Sequence, residues 1–134
     1  MKLVKVILDS NFLLVPFQFK IDIFSELERL LGKAEPVVLS TTITELEGLA
    51  RSGSSKVAKQ ALAALELAKK CAEWYVETFL NESCDDVVLR FAELEGCVVA
   101  TNDAVLRRRL RKAKVPAVYV RQRSHLEIDG QVPR

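Results

Sequence analysis

Apolar runs alternate with helical patterns along most of the chain. The first run, Leu3–Leu8, is nearly continuous in apolar and β-branched residues and stops at Asp9. Such a run is typical of a strand that is buried on both faces of a parallel sheet. The Trp74–Phe79 segment has high β-propensity and is also predicted as a strand, with a continued helix as the alternative. The remaining predicted strands are Val37–Leu39, Cys97–Ala100, Ala117–Val120 and a short one at Leu126–Ile128.

Amphipathic helical patterns occupy the stretches between these strands. Asn11–Phe19 is apolar but irregular, and Pro16 interrupts it. Strands that alternate with helices predict parallel strands joined by crossovers. We therefore expect one domain over residues 1–134, a three-layer α/β/α sandwich around a central parallel sheet of four or five strands. The predicted helices are Asp22–Leu31, Thr42–Arg51, Lys56–Glu73, Asp86–Glu95 and Ala104–Ala113.

Composition excludes several kinds of site. The three cysteines, Cys71, Cys84 and Cys97, form no CxxC pair, which favours a reducing, cytoplasmic setting over a disulfide framework. His125 is the only histidine, so a histidine-based zinc site is excluded. No apolar run is long enough to cross a bilayer and no signal-peptide pattern is present, so we expect no membrane partner. The sequence contains neither the GxGxxG dinucleotide-binding motif nor the GxxxxGK(S/T) phosphate-binding loop.

Acidic residues recur at one place in the predicted architecture, the carboxyl ends of the strands. Because parallel strands point the same way, these ends meet at one edge of the sheet. Ligand chemistry gathers at that edge in open α/β folds. The acids predicted to lie there are Asp9, Glu45, Asp85, Asp86 and Asp103.

Each of these acids also has a local structural alternative. Thr42–Glu45 fits a capping box, Asp85 and Asp103 are natural N-caps, and Asp9 could stabilise a turn. As a set, however, converging carboxylates would repel one another and weaken the folded state. A bound cation reverses that cost. Carboxylates without a histidine or thiolate cluster favour Mg²⁺ or Mn²⁺, which can activate water and stabilise a phosphoryl group under attack.

A basic stretch follows the last of these acids. From Ala104 to Leu126 the chain contains no acid. Arg107, Arg108 and Arg111 begin one turn after Asp103, within reach of a polyanion at the same edge. Such residues would bind a nucleic-acid backbone without reading its sequence, and an ordinary solvated surface is the alternative. No aromatic residues are interleaved, so base stacking is not indicated at this helix.

Four short motifs, in this order and spacing, resemble those of PIN-domain nucleases. They are Val6-Ile7-Leu8-Asp9-Ser10-Asn11, Thr44-Glu45-Leu46, Asp85-Asp86-Val87-Val88-Leu89 and Ala100-Thr101-Asn102-Asp103. The resemblance extends from about Val4 to Ile128. Within it, residues 101–110 followed by Val115-Pro116 are more similar to archaeal PIN proteins related to eukaryotic ribosomal-RNA processing factors than to VapC-type toxins.

The resemblance implies metal-dependent cleavage of single-stranded RNA that leaves a 5′-phosphate and a 3′-hydroxyl. It implies that Asp9, Glu45, Asp85 and Asp103 form a catalytic, metal-binding quartet, with Asp86 as the alternative to Asp85, and that Asn11 and Thr101 hold the ligands in place. Two other hypotheses stay open: an RNA-binding ribosome-assembly module with little cleavage activity, and a VapC-type toxin nuclease held by an antitoxin. The expected partners are single-stranded or structured RNA, a second copy of the chain and, for the toxin, the antitoxin.

Overall fold

Six strands form one sheet at the centre of the structure. The computed structural model describes residues 3–132. The strands are Val4–Leu8 (β1), Ala34–Leu39 (β2), Ala72–Trp74 (β3), Val98–Ala100 (β4), Ala117–Arg121 (β5) and His125–Asp129 (β6). The helices are Ser10–Leu13 (α1), Val15–Phe19 (α2), Ile23–Leu31 (α3), Ser40–Ser52 (α4), Ser55–Ala68 (α5), Cys84–Glu95 (α6) and Ala104–Lys112 (α7).

The strands lie in the order β3-β2-β1-β4-β5-β6. The first five strands are parallel, and β6 runs antiparallel to β5, with Val120 opposite Leu126. The predicted α/β fold with a parallel centre is confirmed. The sheet has six strands instead of four or five, because β6 folds back as a hairpin on β5.

Alternate residues of β1 enter two separate hydrophobic cores. Val6 and Leu8 lie on one face of the sheet, in the core that also contains Leu27 of α3 and Leu46 of α4. Ile7 lies on the opposite face, in the core that contains Leu106 of α7 and residues of α6. Burial of β1 on both faces explains its continuous apolar sequence and gives the expected three layers.

The strand predicted at Trp74–Phe79 is misplaced. β3 is Ala72–Trp74, and the preceding helix α5 ends at Ala68 instead of continuing to Glu73. After Trp74 the backbone groups are taken by side chains and cannot pair with a neighbouring strand: the Val76 amide donates to Ser40 Oγ, and the Glu77 carbonyl accepts from Arg90. These tertiary contacts outweigh the local β-propensity of the segment.

The irregular stretch after Asp9 folds as two short helices, α1 and α2. Pro16 lies at the start of α2, where the missing amide hydrogen carries no cost. The other predicted helices and strands are present, with ends that differ by a few residues. Among residues 3–132 we find no helix with the length and apolar character needed to span a membrane.

Candidate active site

Asp9 lies in the turn between β1 and α1. Its amide donates to the carbonyl of Ala100 at the end of β4 (3.0 Å), so the site forms where the two central strands end together. The side chain is only 4% exposed. Oδ1 accepts a hydrogen bond from the Ser10 amide at 2.9 Å, and Oδ2 accepts from Thr101 Oγ1 at 2.8 Å. Asp9 is therefore held rigidly at the carboxyl edge of the sheet.

Asn11 and Thr101 both donate hydrogen bonds to the Asp9 side chain. The Asn11 amide group donates to Asp9 Oδ2 at 3.0 Å, and its Oδ1 accepts from the Asn102 backbone amide at 2.9 Å. Asn102 Oδ1 in turn accepts from the Val120 amide of β5 at 3.0 Å. A continuous hydrogen-bond network thus links the ends of β1, β4 and β5 beneath the carboxylates.

Asp103 is the N-cap of α7, as its position in the sequence suggested. Its Oδ1 accepts from the amides of Val105 at 2.8 Å and Leu106 at 3.3 Å. The Asp103 amide donates to Thr101 Oγ1 at 3.1 Å. One carboxylate oxygen serves the helix, which leaves Oδ2 as the oxygen that can meet a ligand.

The neighbouring acids Asp85 and Asp86 differ in their contacts. Ser83, not Asp85, is the N-cap of α6, and it forms a reciprocal capping box with Asp86. Asp86 also forms an ion pair with Arg109 at 2.7 Å. Asp85 forms no side-chain hydrogen bond or ion pair with any residue from 3 to 132. The structure therefore ties Asp86 to its own helix end and to α7, and leaves Asp85 without a partner there.

Glu45 lies on α4 and is exposed. The capping box considered for Thr42–Glu45 does not form, because α4 begins at Ser40 and its N-cap, Leu39, offers no side-chain bond. Glu45 is close enough to Asp9 and Asp85 for its charge to raise the pKa of both. We call Asp9, Glu45, Asp85 and Asp103 the acidic edge.

Burial and mutual repulsion act on the acidic edge. Burial, above all, raises the pKa of Asp9 from 3.8 to about 6; the nearby charges of Asp85 and Glu45 add to this, and the hydrogen bonds from Thr101 and Ser10 oppose it. The pKa of Asp85 is raised by burial first and then by the charge of Asp103, with Arg109 opposing. Burial and neighbouring negative charges make the ionised forms of Asp9 and Asp85 unfavourable in the folded protein. A cation bound at this edge would stabilise those ionised forms.

The acidic edge offers carboxylate oxygens, the ligands that hard divalent cations prefer, but its side chains do not enclose one common point. Within residues 3–132, no three acidic, cysteine or histidine side chains are arranged closely enough to hold an ion directly. Mg²⁺ commonly keeps several of its waters and uses only one or two carboxylates. Asp9 is fixed and Asp85 lacks a competing partner, so these two carboxylates would hold such an ion, with Asp103 and Glu45 acting directly or through water.

The chain matches a known protein family over most of its length. The family described as a PIN-like domain matches residues 6–123. The chain belongs to the PIN-domain family. Ribonuclease VapC4 of Methanocaldococcus jannaschii is 36% identical to it over 130 residues, covering 96% of this chain and 98% of that protein. Ribonuclease VapC9 of Archaeoglobus fulgidus is 27% identical over 118 residues, covering 87% of this chain and 82% of that protein.

Solved structures agree with this assignment. The PIN domain endonuclease Utp24 superposes with a TM-score of 0.76 at 30% identity, over 96% of this chain and 92% of that one. PAE2754 from Pyrobaculum aerophilum superposes with a TM-score of 0.51 at 19% identity, over 77% of each chain, and shows the fold alone. The prediction of a PIN-family nuclease is confirmed, and its relatives include both VapC-named ribonucleases and Utp24.

The arginines of α7 in this PIN domain have different surroundings. The Arg107 guanidinium lies over the ring of Tyr119, 3.7 Å from its centroid. Arg108 is exposed and forms no ion pair with any other residue from 3 to 132. Arg111 bonds to Asp129, which lies opposite Ala117 at the amino end of β5. Arg107 and Arg108 are therefore near the acidic edge, and Arg111 is held at the opposite edge of the sheet.

Three residues near the acidic edge were not singled out as site residues from the sequence. Arg109 pairs with Asp86 and opposes the rise in the pKa of Asp85. Asn102 joins β4 to β5. The pKa of the Cys84 thiol is raised by burial first and then by the charges of Glu45, Asp9 and Asp85. Cys84 and Asn102 are each adjacent in sequence to predicted site residues, which was the available signal, whereas the Arg109 contact depends on the packing of α6 against α7.

Proposed function

We propose that this PIN domain is an Mg²⁺- or Mn²⁺-dependent endoribonuclease that cleaves single-stranded RNA. The observation that carries the proposal is the convergence of carboxylates from four separate chain segments at one sheet edge, with a raised pKa for Asp9 and Asp85. The names of the two ribonuclease relatives support RNA as the substrate. Ribosomal RNA, the substrate implied by the sequence resemblance, and a cytoplasmic location are parts of the same proposal.

Each residue of the acidic edge has a proposed role. Asp9, fixed by Thr101 and Asn11, and Asp85 would be the principal metal ligands, with Asp103 Oδ2 completing the set. Glu45, which is exposed, would orient the attacking water and accept its proton. When bound, a divalent ion supplies charge neutralisation at the phosphoryl group and activates the water. Hydrolysis would leave a 5′-phosphate and a 3′-hydroxyl.

The basic side chains beside the acidic edge would bind the RNA backbone. Arg107 is pre-positioned on Tyr119, and Arg108 extends into solvent on the first turns of α7. Contacts of this kind give affinity that depends on salt but not on base sequence. Arg111, held by Asp129, would contribute less to RNA binding than these two residues.

The test is cleavage of an end-labelled single-stranded RNA with Mn²⁺, Mg²⁺ or EDTA. Wild type should cleave with either ion and not with EDTA, and Asp9→Asn should be inactive. Asp129→Asn, which removes a carboxylate at the opposite sheet edge, is the matched control and should remain active. As a readout separate from activity, Mn²⁺ should raise the Tm of wild type and not that of Asp9→Asn. Equal activity of wild type and Asp9→Asn would end the proposal.

Two other outcomes would select the alternatives. Tight RNA binding without metal-dependent cleavage would indicate an RNA-binding ribosome-assembly module. A toxin nuclease is favoured by one specific observation, the VapC names of both ribonuclease relatives. For a toxin, expression of wild type should arrest growth, expression of Asp9→Asn should not, and co-expression of a cognate antitoxin should relieve the arrest.

A further inference from the structure

The segment between β3 and α6 exposes three large apolar side chains. Tyr75 is 89% exposed, Phe79 is 62% exposed and Leu80 is 93% exposed. Single exposed apolar residues are ordinary on protein surfaces. Three within six residues of one loop, two of them aromatic, call for an explanation. We call residues 75–82 the aromatic loop.

Hydrogen bonds and an ion pair hold the aromatic loop in place. Arg90 donates to the Glu77 carbonyl at 2.7 Å and pairs with Glu82 at 2.7 Å, so one side chain of α6 fastens the middle and the end of the loop. The Val76 amide donates to Ser40 Oγ at 3.0 Å. The exposed side chains are thus presented by a fixed backbone, so little backbone entropy would be lost when they bind a ligand.

Phe79 and Leu80 lie in the turn at the end of the loop, where Leu80 is exposed and Arg90 packs on the Phe79 ring. The Glu82 amide donates to the Phe79 carbonyl at 3.0 Å, and Asn81 has a φ of 65°, a value that Asn tolerates in turns. The Arg90 guanidinium lies 4.0 Å from the centroid of the Phe79 ring and covers one of its faces. The opposite ring face is the one available for stacking.

The aromatic loop leads directly into the acidic edge. It begins where β3 ends, at the carboxyl edge of the sheet, and it stops before Ser83, the N-cap of α6. Asp85 follows two residues later. Phe79 and Asp85 are six positions apart in the sequence, so the two lie within about 20 Å of each other even for a fully extended chain. A strand of nucleic acid that crosses Asp85 would pass beside the loop.

We propose that the aromatic loop stacks unpaired bases of the RNA strand whose backbone is cut at the acidic edge. This inference rests on the proposed function and restricts its substrate to RNA with splayed, unpaired bases. Proteins that bind single strands use exposed aromatic rings because every base has a stackable face. The loop fits this use better than a protein interface, since it presents two exposed rings on a fixed backbone that leads to Asp85.

The test is binding of two short RNAs of equal length, one unmodified and one with abasic nucleotides. Binding is measured on an Asp9→Asn background so that neither RNA is cut. Tyr75→Ala combined with Phe79→Ala should weaken binding of the unmodified RNA by about 25-fold or more, since each lost ring that stacks a base costs about 5- to 100-fold. The same change should leave binding of the abasic RNA unaltered. Leu94→Ala, the control that removes a 68%-exposed apolar side chain outside the loop, should bind like its parent, and Tyr75→Trp should retain full affinity.

Other results would overturn the inference. Unchanged binding in the double variant would do so, as would an equal loss for unmodified and abasic RNA. A parent protein that is dimeric by light scattering and becomes monomeric in the double variant would assign the loop to a protein interface. In an active background, the double variant should raise KM more than it lowers kcat. If wild type cleaves RNA and the loop variants behave like it, only this inference fails; if wild type neither binds nor cleaves RNA, the proposed function fails as well.

Discussion

The carboxylates of this protein behave differently in two regions. Around the β5–β6 hairpin, each acid has a basic partner: Glu26 bonds to Arg29, Glu127 bonds to His125, and Asp129 bonds to Arg111. Hydrogen bonds from these partners lower the pKa of Glu26 and Glu127. At the acidic edge, the pKa of Asp9 and Asp85 is raised instead. The acids around the hairpin are paired with bases of the same protein. Those of the acidic edge repel one another when ionised, and a bound cation would relieve this repulsion without protonating them.

The adjacent acids Asp85 and Asp86 of α6 show the same contrast, and the largest predicted effect, on the rate of RNA cleavage, is at Asp85. Asp85→Asn should lower the rate of RNA cleavage by about 100- to 10,000-fold, the range by which one positioned group changes a rate. Asp86→Asn weakens the capping box with Ser83 and removes the ion pair with Arg109, so it should lower stability while much of the activity per folded molecule remains. Cleavage rates and thermal melts of both variants provide the check. Similar losses of activity in the two variants would contradict the distinction drawn between them.

The pH dependence of stability should also separate the two regions. In metal-free protein, the raised pKa of Asp9 favours the folded state at low pH, and this contribution is lost as the pH rises from about 4 to about 6. At about 1.4 kcal/mol per pKa unit, the loss is at most about 3 kcal/mol. Wild type should therefore lose stability relative to Asp9→Asn over this interval and show no further change above it.

Denaturant melts of wild type and Asp9→Asn at several pH values, with EDTA present, measure this difference. The acids with lowered pKa contribute in the opposite direction, since their stabilisation is lost on acidification, but they cancel because both proteins contain them. A stability difference that is independent of pH between 4 and 7 would show that Asp9 ionises normally in the folded protein.

The smallest effect is expected at the hairpin. Glu26 accepts a hydrogen bond from the Leu126 amide, and Arg29 donates to the Leu126 carbonyl, so α3 satisfies the outer edge of β6. Glu26→Ala should lower the Tm by about 3 to 5 °C, the shift that the loss of one net hydrogen bond causes in a domain of this size, and should leave cleavage unchanged. Glu28→Ala, an exposed acid on the same helix, is the control. A loss of activity in folded Glu26→Ala protein would link the hairpin to catalysis.

Elements of the fold that depend only on their own sequence could be predicted, and elements that depend on contacts with distant residues could not. The continuous apolar sequence of β1 and its stop at Asp9 predicted a buried central strand, since these features depend on the strand alone. The position of β3 could not be predicted, because the backbone of residues 75–77 is taken by Ser40 and Arg90, which lie far away in sequence. The hairpin strand β6 was foreseen as a short strand, but its antiparallel direction depends on the turn at residues 122–124.

The candidate site shows the same limit. The arrival of Asp9, Glu45, Asp85 and Asp103 at one edge follows from parallel topology, which the sequence pattern indicates. The choice between Asp85 and Asp86 depends on Ser83 acting as the N-cap and on Arg109 reaching across from α7. Arg111 was expected beside the acids, but Asp129 holds it at the other edge of the sheet, a contact that sequence spacing alone does not reveal. Which of these residues hold metal or RNA stays a prediction.

The hydrogen bond between Thr101 and Asp9 has a consequence for how this protein would tolerate mutation. It joins side chains 92 positions apart, each anchored to a different strand. Any substitution in the interior that slides one of those strands against the other by a fraction of a bond length would misalign the carboxylate while leaving the domain folded. Interior variants should therefore include some that keep a normal melting transition and yet have no catalytic turnover.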